Sequence, residues 1–247
     1  TFVEALMYVL GGYGVSIRAE ALIRQERPSQ APDADTLRLQ GARGAFASEV
    51  REGRLDEERA KLWTGDDRLT ARPVYGKTNI DFAQSHTFIM TGNHRPAIHD
   101  TSVGIWRRVT LIDWGVQIPE HEQDARLSDR LRREGSGILN WALDGLVDYW
   151  ASGLVVPPSV KAATERYRTD EDIIGQFISE RCRLGGDLSC PTGDLYGEYS
   201  GWAAGNGIRA AAKNTFTRRL RDRGHELVNS RRDYAGIAPR RKTPLVQ

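Results

Sequence analysis

Three short segments of the sequence carry side chains that could act on a phosphate group. Ser48 and Glu49 follow the run GAFA, Asn93 follows HTFIMTG, and Arg107 and Arg108 stand directly before VTLIDW. A carboxylate can orient water or help to hold Mg²⁺, an amide can contact a terminal phosphate, and a guanidinium can stabilise charge on a phosphoryl group during transfer. Taken singly, the three segments also fit a solvated strand end, a turn and charge at a sheet edge.

These side chains depend on the strands beside them. The apolar, β-rich runs predict strands at Arg43–Ser48, His86–Gly92 and Arg108–Trp114, and DEERAKLW predicts a helix after the first of them. Strands that alternate with helices favour an α/β domain, in which ligands bind at the carboxyl ends of the strands. We therefore expect Glu49 and Asn93 to lie at such an edge.

Beyond Pro119 the pattern becomes helical. The segment SGILNWALDGLVDYWASG predicts an amphipathic helix, and the helical spacing of Trp141 and Trp150 favours a place in the core over a base-stacking role. Thr169 and Asp172 have the spacing of a capping box before the apolar run IIGQFI. This helical part is predicted to connect two domains.

Basic residues concentrate near the end of the chain. Residues 205–247 carry 11 Lys and Arg against 3 Asp and Glu, whereas the whole chain has a net charge of only +2. A basic helix, AAKNTFTRRLRDRG, is followed by two predicted strands around a basic turn, an order typical of a winged helix. A small structural α+β domain is the alternative. The candidate DNA contacts are Lys213, Arg218, Arg219, Arg221, Arg223, Arg231 and Arg232.

Composition excludes several other classes of protein. No apolar run approaches the roughly 18 to 20 residues that span a membrane, so we expect a cytoplasmic protein with no membrane partner. Cys182 and Cys190 are the only cysteines, too few for a disulfide framework, and are expected to be reduced thiols. His94 and His99 lack the spacing of metal ligands.

The three segments, taken in order, match a known family. GARGAFASEVREGRLDEERAKLWTGDDRLTARPVY, FIMTGNHRPAI and DTSVGIWRRVTLI resemble the superfamily 3 helicase core of phage and plasmid primase-helicases and the related poxvirus-type NTPases. The resemblance continues through GILNWALDG and GLVVPPSVKAATERYRTDEDIIGQFI, so it covers nearly the whole chain. It implies an AAA+-like P-loop NTPase core of α/β class that forms a hexameric ring around DNA and uses ATP with Mg²⁺.

The resemblance also implies roles for single residues. Glu49 is similar to the Walker B carboxylate and would contact Mg²⁺, while Asn93 is similar to the sensor of γ-phosphate or attacking water. Arg108 resembles the arginine finger, with Arg107 as the second choice. Ser48 stands where many NTPases have a further acidic residue. The resemblance therefore implies that groups other than Ser48 contribute more to Mg²⁺ binding.

Weaker assignments fall between these motifs. Lys61, Asp66 and Arg72 lie where family members contact nucleotide or a neighbouring subunit. The stretch ARPVYGKT is a near match to a phosphate-binding loop, but it lacks the first glycine and precedes a predicted strand, whereas the phosphate site needs a helix. The resemblance instead implies that Lys77 lies at the tip of a hairpin that touches DNA in the ring channel, with an ordinary exposed turn lysine as the alternative.

The first residues, TFVEALMYVLGGYG, predict an apolar helix that ends at Gly11 and Gly12. In the family, such a helix directly follows the Gly-Lys-Ser/Thr phosphate loop. Thr1 would then be the hydroxyl that binds Mg²⁺ in that motif, or the residue just past it. We therefore expect an N-terminally truncated core that lacks the Walker A Gly-Lys and binds ATP poorly.

These expectations combine into one hypothesis. Residues 1–116 would form the helicase core, 117–184 a helical connector and 185–247 a winged-helix domain of an ATP-dependent replication helicase. Its partners would be single-stranded DNA in the ring channel, duplex DNA at the winged helix, further copies of itself, and a primase domain upstream or on another chain. The alternatives are a DNA-binding initiator or assembly module without ATP turnover and a winged-helix transcription regulator.

Overall fold

A computed structural model describes residues 1–24, 34–73, 75–76, 78–100, 102–229 and 232–240. The chain divides into two compact units, Thr1–Arg168 and Thr169–Gln247. This division falls inside the segment that the sequence predicts as a connector, and the predicted three-part division stays a prediction. Each unit is described by itself.

The first unit is built on a parallel sheet of three strands. α1 (Phe2–Leu10) passes through a 3₁₀ turn at Gly11–Tyr13 into β1 (Gly14–Ser16). After α2 (Ala34–Arg38) and β2 (Gly44–Ala47) come α3 (Glu57–Trp63), the antiparallel hairpin β3 (Leu69–Ala71) and β4 (Ile80–Phe82), and β5 (Thr87–Met90). The sheet order is β1-β2-β5, and Ala47 pairs with Met90. The mixed α/β class is therefore confirmed, and the parallel sheet is compatible with a P-loop-like core.

The central strand is short and wholly buried. All four residues of β2 are buried, as expected for a strand that is paired on both sides and covered on both faces. The surrounding core includes Trp63 and Leu69, at 0% and 1% exposure. The Trp63 indole N–H donates to the Thr36 hydroxyl at 3.1 Å, so the large ring is buried with its polar atom satisfied. α3 starts as predicted, because the Asp56 side chain accepts the amide of Arg59.

The rest of the first unit is helical: α4 (Val103–Trp106), α5 (Leu127–Arg133), α6 (Gly135–Ser152) and α7 (Pro158–Glu171), the last of which runs past the boundary between the units. No described helix is long and apolar enough to cross a lipid bilayer. α6 confirms the predicted helix, but the assignment of Trp141 and Trp150 to the core is wrong, since they are 63% and 74% exposed. The helical spacing of the two rings indicates that they lie on one helix but not whether another element packs against them. No described residue buries them.

The predicted strand at Arg108–Trp114 is not observed. Val109 and Leu111 pack against the core while Thr110 and Ile112 face outward, so the alternating pattern correctly indicates a half-buried, extended segment. The Leu111 amide, however, donates to the Thr164 hydroxyl at 2.9 Å instead of to a neighbouring strand. Alternation predicts which side is buried and not whether a partner strand is present.

The second unit has its own core. α8 (Ile173–Arg181), β6 (Cys182–Pro191), α9 (Thr192–Gly205), α10 (Lys213–Arg221), β7 (Leu227–Val228) and β8 (Asp233–Pro239) follow one another, and the antiparallel sheet has the order β6-β8-β7. Phe216 is at the centre of the core, stacked on Tyr199 at 4.5 Å and edge-on to Tyr234 at 6.4 Å. The two predicted terminal strands are confirmed, whereas β6 was not predicted because Gly185 and Gly186 interrupt its apolar pattern.

The predicted capping box before α8 is wrong at Thr169. α7 continues to Glu171, and Asp172 is the residue that caps α8 by accepting the Gly175 amide at 3.0 Å. Both residues fit the capping pattern in sequence, but only the aspartate lies at the helix start.

His86 should make the first unit less stable at mildly acidic pH. Burial lowers the pKa of His86 from its ordinary 6.5, against a smaller opposing effect of the Trp63 backbone. Because the unfolded state then binds a proton at higher pH than the folded state, the free energy of unfolding should fall as pH drops through 6.5 and below. Denaturant unfolding between pH 8 and 5 measures this slope. His86→Gln should flatten it, whereas the same change at exposed His121 should not; equal slopes in both variants would contradict the assignment.

Candidate functional site

Glu49 and Asn93 lie on neighbouring loops at the carboxyl edge of the parallel sheet. The Thr91 amide donates to the carbonyl oxygen of Ala47 at 2.8 Å, and the Val50 amide donates to the carbonyl oxygen of Thr91 at 3.0 Å. These two bonds extend the pairing of β2 and β5 into the loops, so the structure brings the two predicted catalytic residues to one edge. Both side chains are exposed there.

The two loops stay tied farther along. The Ala97 amide donates to the Gly53 carbonyl oxygen at 2.8 Å, and the Leu55 amide donates to the Ala97 carbonyl oxygen at 2.9 Å. Glu57, which is only 6% exposed, accepts the His99 amide at 2.9 Å and pairs with Arg54 at 3.2 Å. The segment that carries Asn93 is therefore anchored before and after the asparagine.

Glu49 adopts an unusual backbone conformation, with φ of 58°. This left-handed region is uncommon for residues other than glycine, asparagine and aspartate, and a side chain held there costs of order 1–3 kcal/mol. Among the described non-glycine residues only Asn229 shares a positive φ. Such strain concentrates at functional sites, where the surrounding structure holds a side chain in a required direction.

The last turn of α1 contacts the amino-terminal ends of two strands of the same sheet. Leu10, in its last turn, lies beside Gly14 and Gly44, the first residues of β1 and β2. Its first turn begins at Phe2, at the other end of the helix. Thr1 precedes this turn, is exposed, and makes no side-chain capping bond.

The two candidate finger arginines have different surroundings. Arg108 is half-buried, and its guanidinium donates to the Gly104 carbonyl oxygen at 2.7 Å, so it is held by its own chain. Arg107 is exposed, and its side chain makes no hydrogen bond or ion pair with any described residue. Of the two, Arg107 has the side chain that is available to reach another molecule.

Lys61 is occupied by a neighbouring carboxylate. Its ammonium pairs with Asp100, whose other oxygen accepts the Ser102 amide at 2.8 Å. Burial by itself would raise the pKa of Asp100, but the hydrogen bonds from Lys61 and Ser102 outweigh it and lower that pKa. Lys61 thus links α3 to the segment before α4, while Asp66 and Arg72 are exposed.

The β3–β4 hairpin contains the near match to a phosphate loop. Gly76 lies in the connection, where its amide donates to the Pro73 carbonyl oxygen at 3.0 Å, and strand β4 follows. The expected absence of a following helix is therefore confirmed. Lys77 lies outside the described residues. Tyr75, which was not among the predicted site residues, is 99% exposed in this connection. An aromatic residue within a glycine-containing turn was the sequence signal that could have identified it.

These groups fit part of a site for ATP and Mg²⁺. The Glu49 carboxylate and Asn93 amide offer oxygen and nitrogen groups of the kind that position water, metal and terminal phosphate. Among the described residues, however, no glycine-rich turn leads into a helix to cradle the phosphates. The described part of the chain therefore supplies candidate groups for the reaction and not the cradle.

The second unit presents a basic surface on α10. Arg218 and Arg221 are exposed, and the Thr217 hydroxyl is 2.7 Å from the Tyr234 hydroxyl, which fixes the helix to β8. Arg223 faces inward instead: it pairs with Asp172 and its side chain is 20% exposed. Lys213 and Arg232 are exposed, Arg219 is half-buried, and Arg231 lies outside the described residues.

Both cysteines are buried as free thiols. Burial raises the pKa of Cys182 to about 12 and also raises the pKa of Cys190. Because the thiolate is the reactive form, neither side chain is suited to nucleophilic or redox chemistry at neutral pH.

Comparison with known proteins gives distant viral relatives. The chain is 25% identical over 222 residues to "Putative helicase 022R" of Frog virus 3 (isolate Goorha). The aligned region makes up 80% of this chain and 22% of that protein. It is 23% identical over 202 residues to "Putative primase C962R" of African swine fever virus, covering 73% of this chain and 21% of that protein. No family model matches. The chain thus spans about a fifth of the length of these relatives, and the similarity supports a helicase- or primase-like family.

Gly92→Ala should disturb the edge that carries Glu49 and Asn93. A Cβ at Gly92 would lie 2.5 Å from the Val50 carbonyl oxygen, so the backbones of the two loops must separate. We expect a loss of roughly 1–3 kcal/mol in the free energy of unfolding, as for other overpacked sites. Gly145→Ala, on α6 with open space around it, is the control and should be neutral or mildly stabilising. Equal stability of both variants would show that the loops are not in contact.

Proposed function

We propose that this chain is part of an ATP-dependent DNA helicase that acts in replication. One observation carries the proposal. Glu49 and Asn93 follow the paired strands β2 and β5, on two loops that are joined by main-chain hydrogen bonds. Glu49 also has a strained backbone there. The similarity to viral proteins named as helicase and primase supports the same assignment. The superfamily 3 resemblance implies that the reaction of this helicase is the hydrolysis of ATP.

In this reaction Glu49 would orient and polarise the attacking water, and Asn93 would contact that water or the terminal phosphate. Bound Mg²⁺ would neutralise phosphate charge, with Glu49 and the Thr1 hydroxyl as candidate ligands. A phosphate cradle would lie at the first turn of α1, because helix amides and the helix dipole favour anions at the start of a helix.

The arginine finger would act between subunits. A guanidinium that completes the site of the next subunit requires a head-to-tail ring, which for this family is a hexamer. Arg107 becomes our first choice, since it is exposed and unpaired among the described residues, whereas Arg108 is bound to the Gly104 carbonyl. Asp66 and Arg72, both exposed, are further candidates for contacts with the nucleotide or with the neighbouring subunit.

DNA would be contacted at two places. The β3–β4 connection would contact single-stranded DNA in the ring channel, with Lys77 on the backbone and Tyr75 stacked on a base. In the second unit the order α8-β6-α9-α10-β7-β8 supports a winged helix that presents α10 to duplex DNA. Lys213, Arg218 and Arg221 are then the main phosphate contacts, while Arg223 has a structural role through Asp172.

Glu49→Gln should strongly reduce the rate of ATP hydrolysis while leaving ATP binding intact. The substitution keeps the size of the side chain but removes the charge that orients water, so kcat should fall by about 100-fold or more. The measurement is DNA-stimulated phosphate release by a longer protein in which a phosphate-binding loop has been joined to this chain. Arg107→Ala should cause a loss of similar size, and Arg72→Ala a smaller one.

Two results would contradict this proposal. Wild-type rates in the Glu49→Gln variant would show that another group activates the water. DNA binding without any hydrolysis by the longer protein would favour the alternative, an initiator or assembly module that uses the second unit without turnover. That alternative has support in the separate core of the second unit, which does not depend on the nucleotide edge.

Arg218→Ala should weaken the binding of duplex DNA by this chain. Loss of one phosphate contact should lower affinity several-fold at moderate salt and reduce the slope of log K against log salt by about 1. Arg132→Ala, an equal change of charge on exposed α5, should alter neither quantity. Fluorescence anisotropy at several salt concentrations distinguishes the two; equal effects would indicate general charge attraction and not a DNA-binding face on α10.

A further inference from the structure

One buried side chain contacts the loop that carries Asn93. Tyr167 lies on α7 and is 3% exposed. Its hydroxyl donates a hydrogen bond to the main-chain carbonyl oxygen of Pro96, and the Arg95 guanidinium lies 4.9 Å from the centroid of its ring. Arg95 and Pro96 follow Asn93 by two and three residues. α7 therefore contacts this loop through the Tyr167 side chain.

The same ring packs against the helix that leads to the finger. The rings of Tyr167 and Trp106 are 5.3 Å apart at 87°, the favourable edge-to-face arrangement. Trp106 is fixed in turn, because its indole N–H donates to the Asp100 carbonyl oxygen at 3.0 Å. Arg107 follows directly, and its amide donates to the Val103 carbonyl oxygen at 3.1 Å. Movement of the tyrosine ring would thus be transmitted to both catalytic segments.

We propose that Tyr167 is a positioning residue that sets the placement of the Asn93 amide relative to the Arg107 guanidinium. The inference rests on the proposed ATP hydrolysis. In a ring, Asn93 serves the nucleotide of its own subunit while Arg107 serves that of the next subunit. Tyr167 therefore links two consecutive sites through one rigid cluster. Such a link can affect the rate of hydrolysis, because a displacement of about 1 Å in a catalytic group can lower the rate about 100-fold.

The contacts themselves are tested in this chain without any activity. Tyr167→Phe keeps the ring and removes the hydroxyl that bonds to Pro96. Hydrogen exchange should accelerate at the amides of residues 97–98, which lie beside the lost hydrogen bond. It should also accelerate at 104–108, because the ring that packs on Trp106 is no longer fixed to Pro96. The matched control is Tyr199→Phe, because Tyr199 is 1% exposed and its hydroxyl accepts the Ala211 amide at 3.0 Å in the second unit. That control should leave exchange in both segments unchanged.

The catalytic consequence is tested in the longer protein. Tyr167→Phe should lower kcat roughly 10-fold and leave KM for ATP within about twofold, because the phosphate cradle is untouched. Tyr167→Phe combined with Arg107→Ala should lose less rate than the sum of the two single changes predicts, since only the placement of Asn93 is then left to disturb. A merely structural role would instead lower the fraction of active protein and add its effect to that of Arg107→Ala.

The outcomes separate this inference from the proposed function. If the wild-type longer protein hydrolyses ATP and Glu49→Gln does not, the function stands; wild-type kcat in Tyr167→Phe then overturns only the role of Tyr167. An equal loss of kcat in Tyr199→Phe also overturns it, since the effect would not be specific to the cluster. If the wild-type longer protein does not hydrolyse ATP, both the function and the inference fall. Loss of kcat with faster exchange in both segments, and a less than additive loss beside Arg107→Ala, supports it.

Discussion

The parallel pairing of β2 with β5 is the constraint on which the candidate site depends. Two further hydrogen bonds, from Thr91 to Ala47 and from Val50 to Thr91, extend this pairing past the ends of the strands. They place the loops of Glu49 and Asn93 side by side and leave no room for a side chain at Gly92. Without this register the carboxylate and the amide would be unrelated surface groups.

The sequence predicted this edge because the relevant signals are local. GAFA is short and apolar, HTFIM is β-rich, and the polar residues that follow each run must emerge at its end. The helix at DEERAKLW and the two strands near the end of the chain were likewise predicted, and they are confirmed. In each case the physical cause lies within a few residues of the feature.

What the sequence did not predict depends on contacts distant along the chain. The half-buried segment around Leu111 has the pattern of a strand but bonds to Thr164, more than fifty residues away. Arg107 and Arg108 are adjacent residues of one type, and they differ in their exposure and in the bond of Arg108 to the Gly104 carbonyl. The contact of Tyr167 with Pro96 spans 71 residues and leaves no local signal.

The central claim is that a nucleotide binds at the edge formed by β2 and β5. A structure of the longer protein with Mg²⁺ and a non-hydrolysable ATP analogue tests this most directly. The account predicts the terminal phosphate within hydrogen-bonding reach of Asn93, with the Glu49 carboxylate facing the position of the attacking water. An analogue bound away from this edge, or bound there with Glu49 turned from the phosphate, would contradict it.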